Sequence, residues 1–377
     1  MVSKGLQMVG STRRKRIVLV VFLVFAVLFI AWINKQPKRK ELTFQQRRQQ
    51  MHLTEVDNDE YLTLVPEKTI KIWESSKYLV AAGIPSIDNK ERFRRRGLQR
   101  STCWTYGGVA TRRNDFAGDL IPLYLLSPHE RNDFILSDSV RAEAQKNHDI
   151  IVLPTFDVPS TNGKVIGELQ SWGNEVELVM SKKTYLWLKF ASNFFGTATY
   201  IMKADDDLFI RVPYYLSSLK LMPKHRLYMG WYGLTPEVFV DRWVPFIAGY
   251  CVTLSRDVAD GVVNYSPLQR LVNTPYSESN IEDFREMAMF NEDVMVAVTL
   301  REKVGYSDLV TADIGRCHYI SHLRRRLSKV VTEKTMVVHH IKEKDYGYLM
   351  KLFPNNSETP PPVVLQWKDK NFARGKC

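Results

Sequence analysis

An α/β domain with a mostly parallel mixed sheet, placed behind an N-terminal membrane-spanning helix, is what this sequence predicts. Three observations carry the prediction. From residue 72 onward, buried-type apolar runs alternate with segments of helical periodicity. One such run, Tyr200-Ile-Met-Lys-Ala, ends in Asp205, Asp206 and Asp207, and a second apolar run follows. In open sheets of this kind, ligands bind outside the carboxyl ends of strands. Near the N-terminus, residues 17–33 form an uncharged apolar run that ends at Asn34.

Taken in order, residues 1–16 read as a short tail carrying Arg13, Arg14, Lys15 and Arg16. Residues 17–34 sit at the short end of the roughly 17–25 residues that span a bilayer. The run is too long for a signal-peptide core and no small-x-small cleavage site follows it, so it reads as an uncleaved signal-anchor. Basic residues flank both ends, and the positive-inside rule decides orientation only weakly. The short tail favours a cytosolic N-terminus and a lumenal bulk. Residues 35–72 are polar and rich in Gln, Lys and Arg, and read as a stem. The folded domain is then expected over 73–377. Within it, strands are expected at 76–82, 120–126, 149–153 and 200–202, and helices at 92–100, 130–146 and 182–195.

The net charge of +12 arises from 53 basic and 41 acidic residues. No helix-turn-helix, zinc-finger or RNP pattern accompanies the basic clusters, which argues against a nucleic-acid partner. The cluster beside the apolar run suits anionic lipid headgroups. Those at 92–96 and 324–326 are either phosphate-facing or solvated. Cys103, Cys251, Cys317 and Cys377 are too scattered for a zinc site or a disulfide scaffold. One or two bridges are expected in a lumen, with Cys251–Cys317 as one pairing. Asn264 and Asn355 begin N-glycosylation sequons, the first weakened by Pro267.

Three adjacent carboxylates repel one another, and a divalent cation is the simplest compensation. Carboxylate-bound Mg²⁺ or Mn²⁺ usually serves a second anionic partner, most often a diphosphate. The chemistry therefore points to a metal-dependent enzyme acting on a phosphorylated donor, with a solvated acidic turn as the plain alternative. Glu292 and Asp293 precede an apolar helical stretch, where Asp293 is either an N-cap or a base. Trp243, Phe246 and Tyr250 suit either core packing or stacking on a sugar face.

Segment by segment, residues 76–353 resemble the β1,3-glycosyltransferases of family 31, most closely the divergent protozoan (trypanosome-type) galactosyl- and N-acetylglucosaminyltransferases. The Arg-rich stretch from Arg94 to Arg100-Ser-Thr-Cys-Trp104 resembles the family's Arg-x-Thr-Trp helix, with one extra residue. Leu123-Tyr-Leu-Leu-Ser127, Glu143 to Asp149-Ile-Ile151, and Lys183-Thr-Tyr-Leu-Trp-Leu-Lys-Phe190 follow in the family's order. So do Lys203-Ala-Asp-Asp-Asp207, Trp243 to Gly249-Tyr250, Glu292-Asp293-Val294, and Met336-Val-Val-His339. The usual Asp-x-Tyr-x-Asn-Leu-Thr is replaced by an insert around 160–178.

The resemblance implies a GT-A fold and a type II protein of the Golgi or ER membrane. It implies transfer of galactose or N-acetylglucosamine from a UDP-sugar to a glycan hydroxyl, by inversion and with a β1,3 linkage. Mn²⁺ is the implied cofactor, held by Asp207 and His339, with Asp205 and Asp206 orienting the donor. His340 is the poorer ligand choice because alternation along a strand points it to the other face. Arg100, with Arg95 or Arg96, is expected to hold uridine or phosphate through bidentate contacts. Asp293 is the implied base and Glu292 its runner-up. Two rivals remain: a non-catalytic glycan-binding or chaperone relative of the same fold, and a metal-dependent phosphohydrolase, which would need a second metal cluster.

Overall fold

The computed structural model describes residues 58–162, 173–237, 242–321, 330–355 and 357–377. The expected anchor, the 324–326 cluster and part of the 160–178 insert lie outside the described residues. Among the described residues, no helix is long and apolar enough to cross a membrane.

The strands in chain order are β1 (Val80–Pro85), β2 (Leu120–Leu126), β3 (Ile150–Val152), β4 (Tyr200–Ala204), β5 (Leu208–Ile210), β6 (Leu227–Gly230) and β7 (Tyr232–Glu237). They continue with β8 (Arg242–Ile247), β9 (Cys251–Ser255), β10 (Val310–Asp313), β11 (Tyr319–Ser321), β12 (Val337–His339), β13 (Leu365–Trp367) and β14 (Phe372–Gly375). Five helices matter for the site: α1 (Glu67–Ser75), α2 (Lys90–Ser101), α3 (Asp138–Asn147), α4 (Asn174–Phe194) and α5 (Glu292–Val298).

One large sheet runs β13-β14-β10-β6-β9-β4-β1-β2-β3. Its β3-β2-β1-β4 half is parallel, and β9 inserts antiparallel between β4 and β6. The expected mostly parallel, mixed sheet is therefore present. Alternation along β1 and β4 sends Val80, Ala82, Ile84, Tyr200 and Met202 into one core layer, and Ala81 and Ile201 into the layer on the opposite face. Burial on both faces explains why these strands read as continuous apolar runs.

A second, three-stranded sheet has the order β11-β12-β5. β5 runs antiparallel to β12 and pairs Leu208 with His339. The chain leaves β4, passes through the three aspartates, and enters β5. Its partner β12 thereby delivers His339 beside Asp207. This pairing is the topological device that assembles the site from residues more than a hundred positions apart.

Helix α4 ties the site to the core. Lys183 is buried and donates to Asp157 at 2.7 Å and to the Ser86 carbonyl at 2.9 Å. Thr184 donates to Glu292 at 2.7 Å. Trp187 donates from Nε1 to the Met202 carbonyl at 2.9 Å. Its indole lies over Gly83, where any Cβ would overlap the ring. That close approach is why β1 carries a glycine in its interior.

Several boundaries differ from the sequence expectation. The first strand begins at Val80 rather than residue 76, because Ser76 caps α1 through its backbone N–H to Trp73. The 130–146 segment holds only a 3₁₀ turn (Glu130–Asn132) and then α3, which Ser137 caps. Helix α4 starts at Asn174, inside the supposed insert. Tyr61, Val65 and Trp73 are buried against the second core layer, so the folded unit reaches back past the expected stem boundary at 72.

The disulfide joins Cys317 to Cys377, not to Cys251. Cys251 lies at the start of the central strand β9, buried beside Met202 and Tyr319, and Cys103 is likewise a buried thiol. The bridge spans 60 residues of sequence and fastens the C-terminus to the turn before β11. Breaking it by Cys377→Ser should cost roughly 2–4 kcal/mol of stability. Urea unfolding should show this loss, and reductant should produce it in the wild type but not in the variant.

Candidate active site

Asp205, Asp206 and Asp207 follow β4; Asp206 turns to Arg92, while Asp205 and Asp207 both meet His339 and Asp205 also meets Lys203. Asp206 is buried, accepts from Ser86 Oγ at 2.7 Å, and forms an ion pair with Arg92. Burial raises its pKa, against the pull of the Arg92 charge. Asp205 accepts from Lys203 Nζ at 2.7 Å and lies 3.2 Å from His339 Nε2. Burial opposes its charge, yet Lys203 and then His339 hold it well below the usual carboxylate range. Asp207 lies 3.1 Å from the same His339 nitrogen, which likewise lowers its pKa against burial. Burial opposes a proton on His339 as well, but Asp207 and then Asp205 push it up to about 9.

Lys203, whose role the sequence motif does not disclose, lies at the centre of the site. It is 2% exposed and bridges Asp205 to Glu292. Being two residues before Asp205 on an extended segment, it shares that side chain's face. Burial opposes its charge, but Asp205, Glu292 and Asp293 together raise its pKa. Lys203 thus joins the acidic turn to the start of α5.

Asp293 is not an N-cap. Asn291 holds that position, and Asp293 lies within the first turn of α5. Its carboxylate accepts from the Gly249 backbone N–H. A Cβ at Gly249 would overlap Asp293 Oδ1, so only glycine allows this approach. Burial first, and the neighbouring Glu292 second, push the Asp293 carboxyl up to about 7. A carboxylate with that pKa accepts a proton far better near neutrality than an ordinary aspartate does. Glu292, held by Thr184 and Lys203, has both oxygens engaged.

Asp207, His339 and His340 each offer a ligand atom, and these atoms lie within 4.8 Å of one another. A carboxylate with two imidazoles fits a first-row transition-metal ion, and Mn²⁺ is the member of that row that most favours the carboxylate. His339 Nδ1 is buried without a hydrogen-bond partner, which marks a polar group awaiting one. The expectation that His340 faces away is corrected: β12 ends at His339, and His340 has a left-handed φ of 60°. Strand alternation does not reach it. Among the described residues, the other group of metal-ligating type is Cys317, His318 and Cys377, and its thiols form the disulfide.

The expected donor-binding arginines are placed differently. Arg96 is fully buried and makes a two-pronged pair with Glu143 at 2.9 and 2.6 Å. Arg100 makes a two-pronged pair with Asp149 at 2.7 and 2.8 Å and also contacts Glu143. Their one-turn spacing on α2 aims both guanidiniums at α3 and the start of β3. They lock that helix to the sheet, and Arg96 meets the acidic turn only through Ser86, to whose hydroxyl it donates at 2.9 Å while that hydroxyl donates to Asp206. Arg95 donates to the Ile341 carbonyl at 3.0 Å, and Arg92 is the cluster member that meets the aspartates.

Among the aromatics, Tyr250 is not open for sugar stacking. Its ring lies 4.4 Å from the His339 ring at 13°, and its hydroxyl is buried without a partner. Trp243 is 63% exposed on the β7–β8 hairpin, which packs Val244 and Phe246 against Val294, Ala297 and Val298 of α5. Asn264 and Asn355 are both exposed, and Asn355 hydrogen-bonds Thr105.

No family model matches the chain. Over 179 residues it is 26% identical to beta-1,3-galactosyltransferase 1 of Mus musculus and of Homo sapiens, covering 42% of this chain. The chain spans about half the length of these curated relatives, 48%. Among solved structures it is similar to the apo WbbM bifunctional glycosyltransferase, with 11% identity and a TM-score of 0.35. That likeness covers 76% of this chain and 50% of the other.

Gly249→Ala should displace Asp293 while leaving the rest of α5 packed. Catalytic turnover is expected to fall by roughly 10²-fold or more, as for a misplaced catalytic group. The unfolding midpoint should move far less than the rate does.

Proposed function

We propose that this chain is a Mn²⁺-dependent glycosyltransferase that moves galactose or N-acetylglucosamine from a UDP-sugar to a glycan hydroxyl. The observation that carries the reading is the juxtaposition of two acidic centres. The Asp207–His339 pair suits a cation, and Asp293 suits a base, with Lys203 and Glu292 joining them. Departure of UDP and deprotonation of the acceptor are the two demands of sugar transfer, and each has a matching group.

Asp207 and His339 would hold the cation, which when bound neutralises the diphosphate as a Lewis acid. Asp205, fixed by Lys203, orients the ribose or sugar of the donor; Asp206, also expected to do so, is buried with one oxygen on Ser86 and the other on Arg92, and holds the acidic turn in place instead. Asp293 takes the proton of the acceptor hydroxyl as that oxygen attacks the anomeric carbon, while the bond from that carbon to the β-phosphate oxygen breaks and UDP leaves with the electron pair. Glu292 keeps the Asp293 proton affinity high, and Lys203 keeps it from rising further. A single displacement of this kind inverts the anomeric centre. The 26% identity to enzymes named as beta-1,3-galactosyltransferases supports a β1,3 linkage. Trp243, exposed on the hairpin behind which α5 packs, is the aromatic surface offered to a sugar face.

The proposal places the enzyme in the Golgi or ER membrane as a type II protein anchored by residues 17–34. The Cys317–Cys377 disulfide supports an oxidising compartment. Exposed Asn264 and Asn355 suit lumenal glycosylation.

A panel of UDP-sugars with glycan acceptors, with and without Mn²⁺, tests the reading. Mn²⁺-dependent turnover of UDP-galactose or UDP-N-acetylglucosamine, lost in Asp207→Ala, is the expected result. Binding of UDP and glycan with no turnover of any donor would leave a non-catalytic relative. The pH profile gives a second check. A base works only when ionised, so kcat/KM should rise with pH through about 7, the Asp293 value, and level off above it. Asp293→Asn should abolish turnover. Lys203→Met removes a charge that lowers the Asp293 pKa and should move the rising limb to higher pH.

A further inference from the structure

We propose that His340 is a metal ligand beside Asp207 and His339, giving a site of one carboxylate and two imidazoles that selects a borderline transition-metal ion over Mg²⁺. The inference rests on the metal-dependent reading above and goes beyond it in naming the ligand set and the ion it prefers.

The backbone makes the case first. An extended residue after His339 would send its ring to the opposite face of the strand. His340 instead takes a left-handed φ of 60°, which costs a non-glycine residue free energy. Two contacts hold the turn in place. The Ile341 N–H donates to the Asp207 carbonyl at 3.1 Å, and Arg95 donates to the Ile341 carbonyl at 3.0 Å. The result brings the two imidazoles together, with ring centroids 3.7 Å apart at 31°. Strain kept by surrounding contacts at a functional site is a reason to ask what it positions.

The ring chemistry agrees. Ser321 Oγ lies 3.0 Å from His340 Nδ1. Metal-ligating histidines commonly use one ring nitrogen for such an orienting contact and the other for the ion. The tautomer that carries its proton on Nδ1, toward Ser321, has its lone pair on Nε2. His339 contributes a buried Nδ1 with no hydrogen-bond partner among the described residues. Tyr250 stacks on the outer ring face of His339 and limits its rotation. The three candidate ligand atoms already lie within 4.8 Å of one another.

This donor set has a consequence for ion choice. Mg²⁺ prefers oxygen ligands and retains its waters, whereas imidazole suits first-row transition-metal ions, of which Mn²⁺ binds most weakly and shares with Mg²⁺ a taste for the carboxylate. One carboxylate against a divalent charge also leaves net positive charge facing a diphosphate.

The test uses the purified full-length chain with the metal alone. Mn²⁺ is titrated by loss of its free-ion paramagnetic resonance signal, and Mg²⁺ is added as competitor. His340→Gly is the informative variant, because glycine takes the left-handed backbone without strain. It should weaken Mn²⁺ binding by roughly 10-fold or more, with Mg²⁺ binding little changed, so that the Mn²⁺ preference collapses. His340→Asn, which also tolerates this conformation, decides the matter if the glycine variant unfolds. A variant that binds Mn²⁺ as tightly and as selectively as wild type overturns the proposal. Asp207→Ala separates the two levels of failure. If it loses Mn²⁺ while His340→Gly does not, only the His340 assignment falls. If the wild type itself binds no Mn²⁺ at this site, the metal-dependent reading falls with it.

Discussion

Five carboxylates converge at one end of the main sheet, and the arrangement around them follows from their mutual repulsion. Asp206 is matched by Arg92, Asp205 and Glu292 by Lys203, and Asp207 by His339. Asp293 alone has a backbone N–H in place of a cation, and it is the carboxyl whose pKa rises to about 7. Burial magnifies each of these interactions, since charges in a dry site are poorly screened. Removing one partner of such a buried pair leaves the other charge uncompensated, which is why breaking one is costly. The fold serves this cluster directly. Helix α4 holds Glu292 through Thr184, the β5–β12 pairing delivers His339, and Gly249 admits Asp293.

The same network divides labour between two sides of one site. On the β4 side, Asp207 and His339 would hold the proposed cation. On the α5 side, Asp293 would take the proton in the proposed reaction. Lys203 touches both, so the charge on one side sets the proton affinity on the other. That coupling gives a physical reason for a lysine in the interior of a central strand, where an uncompensated ammonium would be expensive.

Much of the fold was legible because periodicity reports burial. The parallel half of the sheet, with both faces covered, produced continuous apolar runs at 120–126 and 200–204 that could be read directly. Asp205 to Asp207, Asp293 and His339 were legible as chemistry at strand and helix ends. What the sequence concealed was pairing. Arg96 and Arg100 look like anion-binding residues until Glu143 and Asp149 are found opposite them. Cys377 gave no sign that it, rather than Cys251, meets Cys317. His340 was set aside by a rule of strand alternation that stops one residue earlier, where the backbone turns left-handed. Tyr250 carried an aromatic signal that could not tell a sugar from the His339 ring. Each of these depends on contacts between distant segments, which local pattern does not encode.

The most direct measurement of the central claim is anomalous diffraction from crystals of the protein soaked with Mn²⁺ and UDP. The account predicts an anomalous peak in contact with Asp207 and His339, with the UDP diphosphate on its open side and Asp293 facing the vacant sugar position. UDP bound elsewhere on the fold, or bound with no Mn²⁺ at Asp207 and His339, would contradict it.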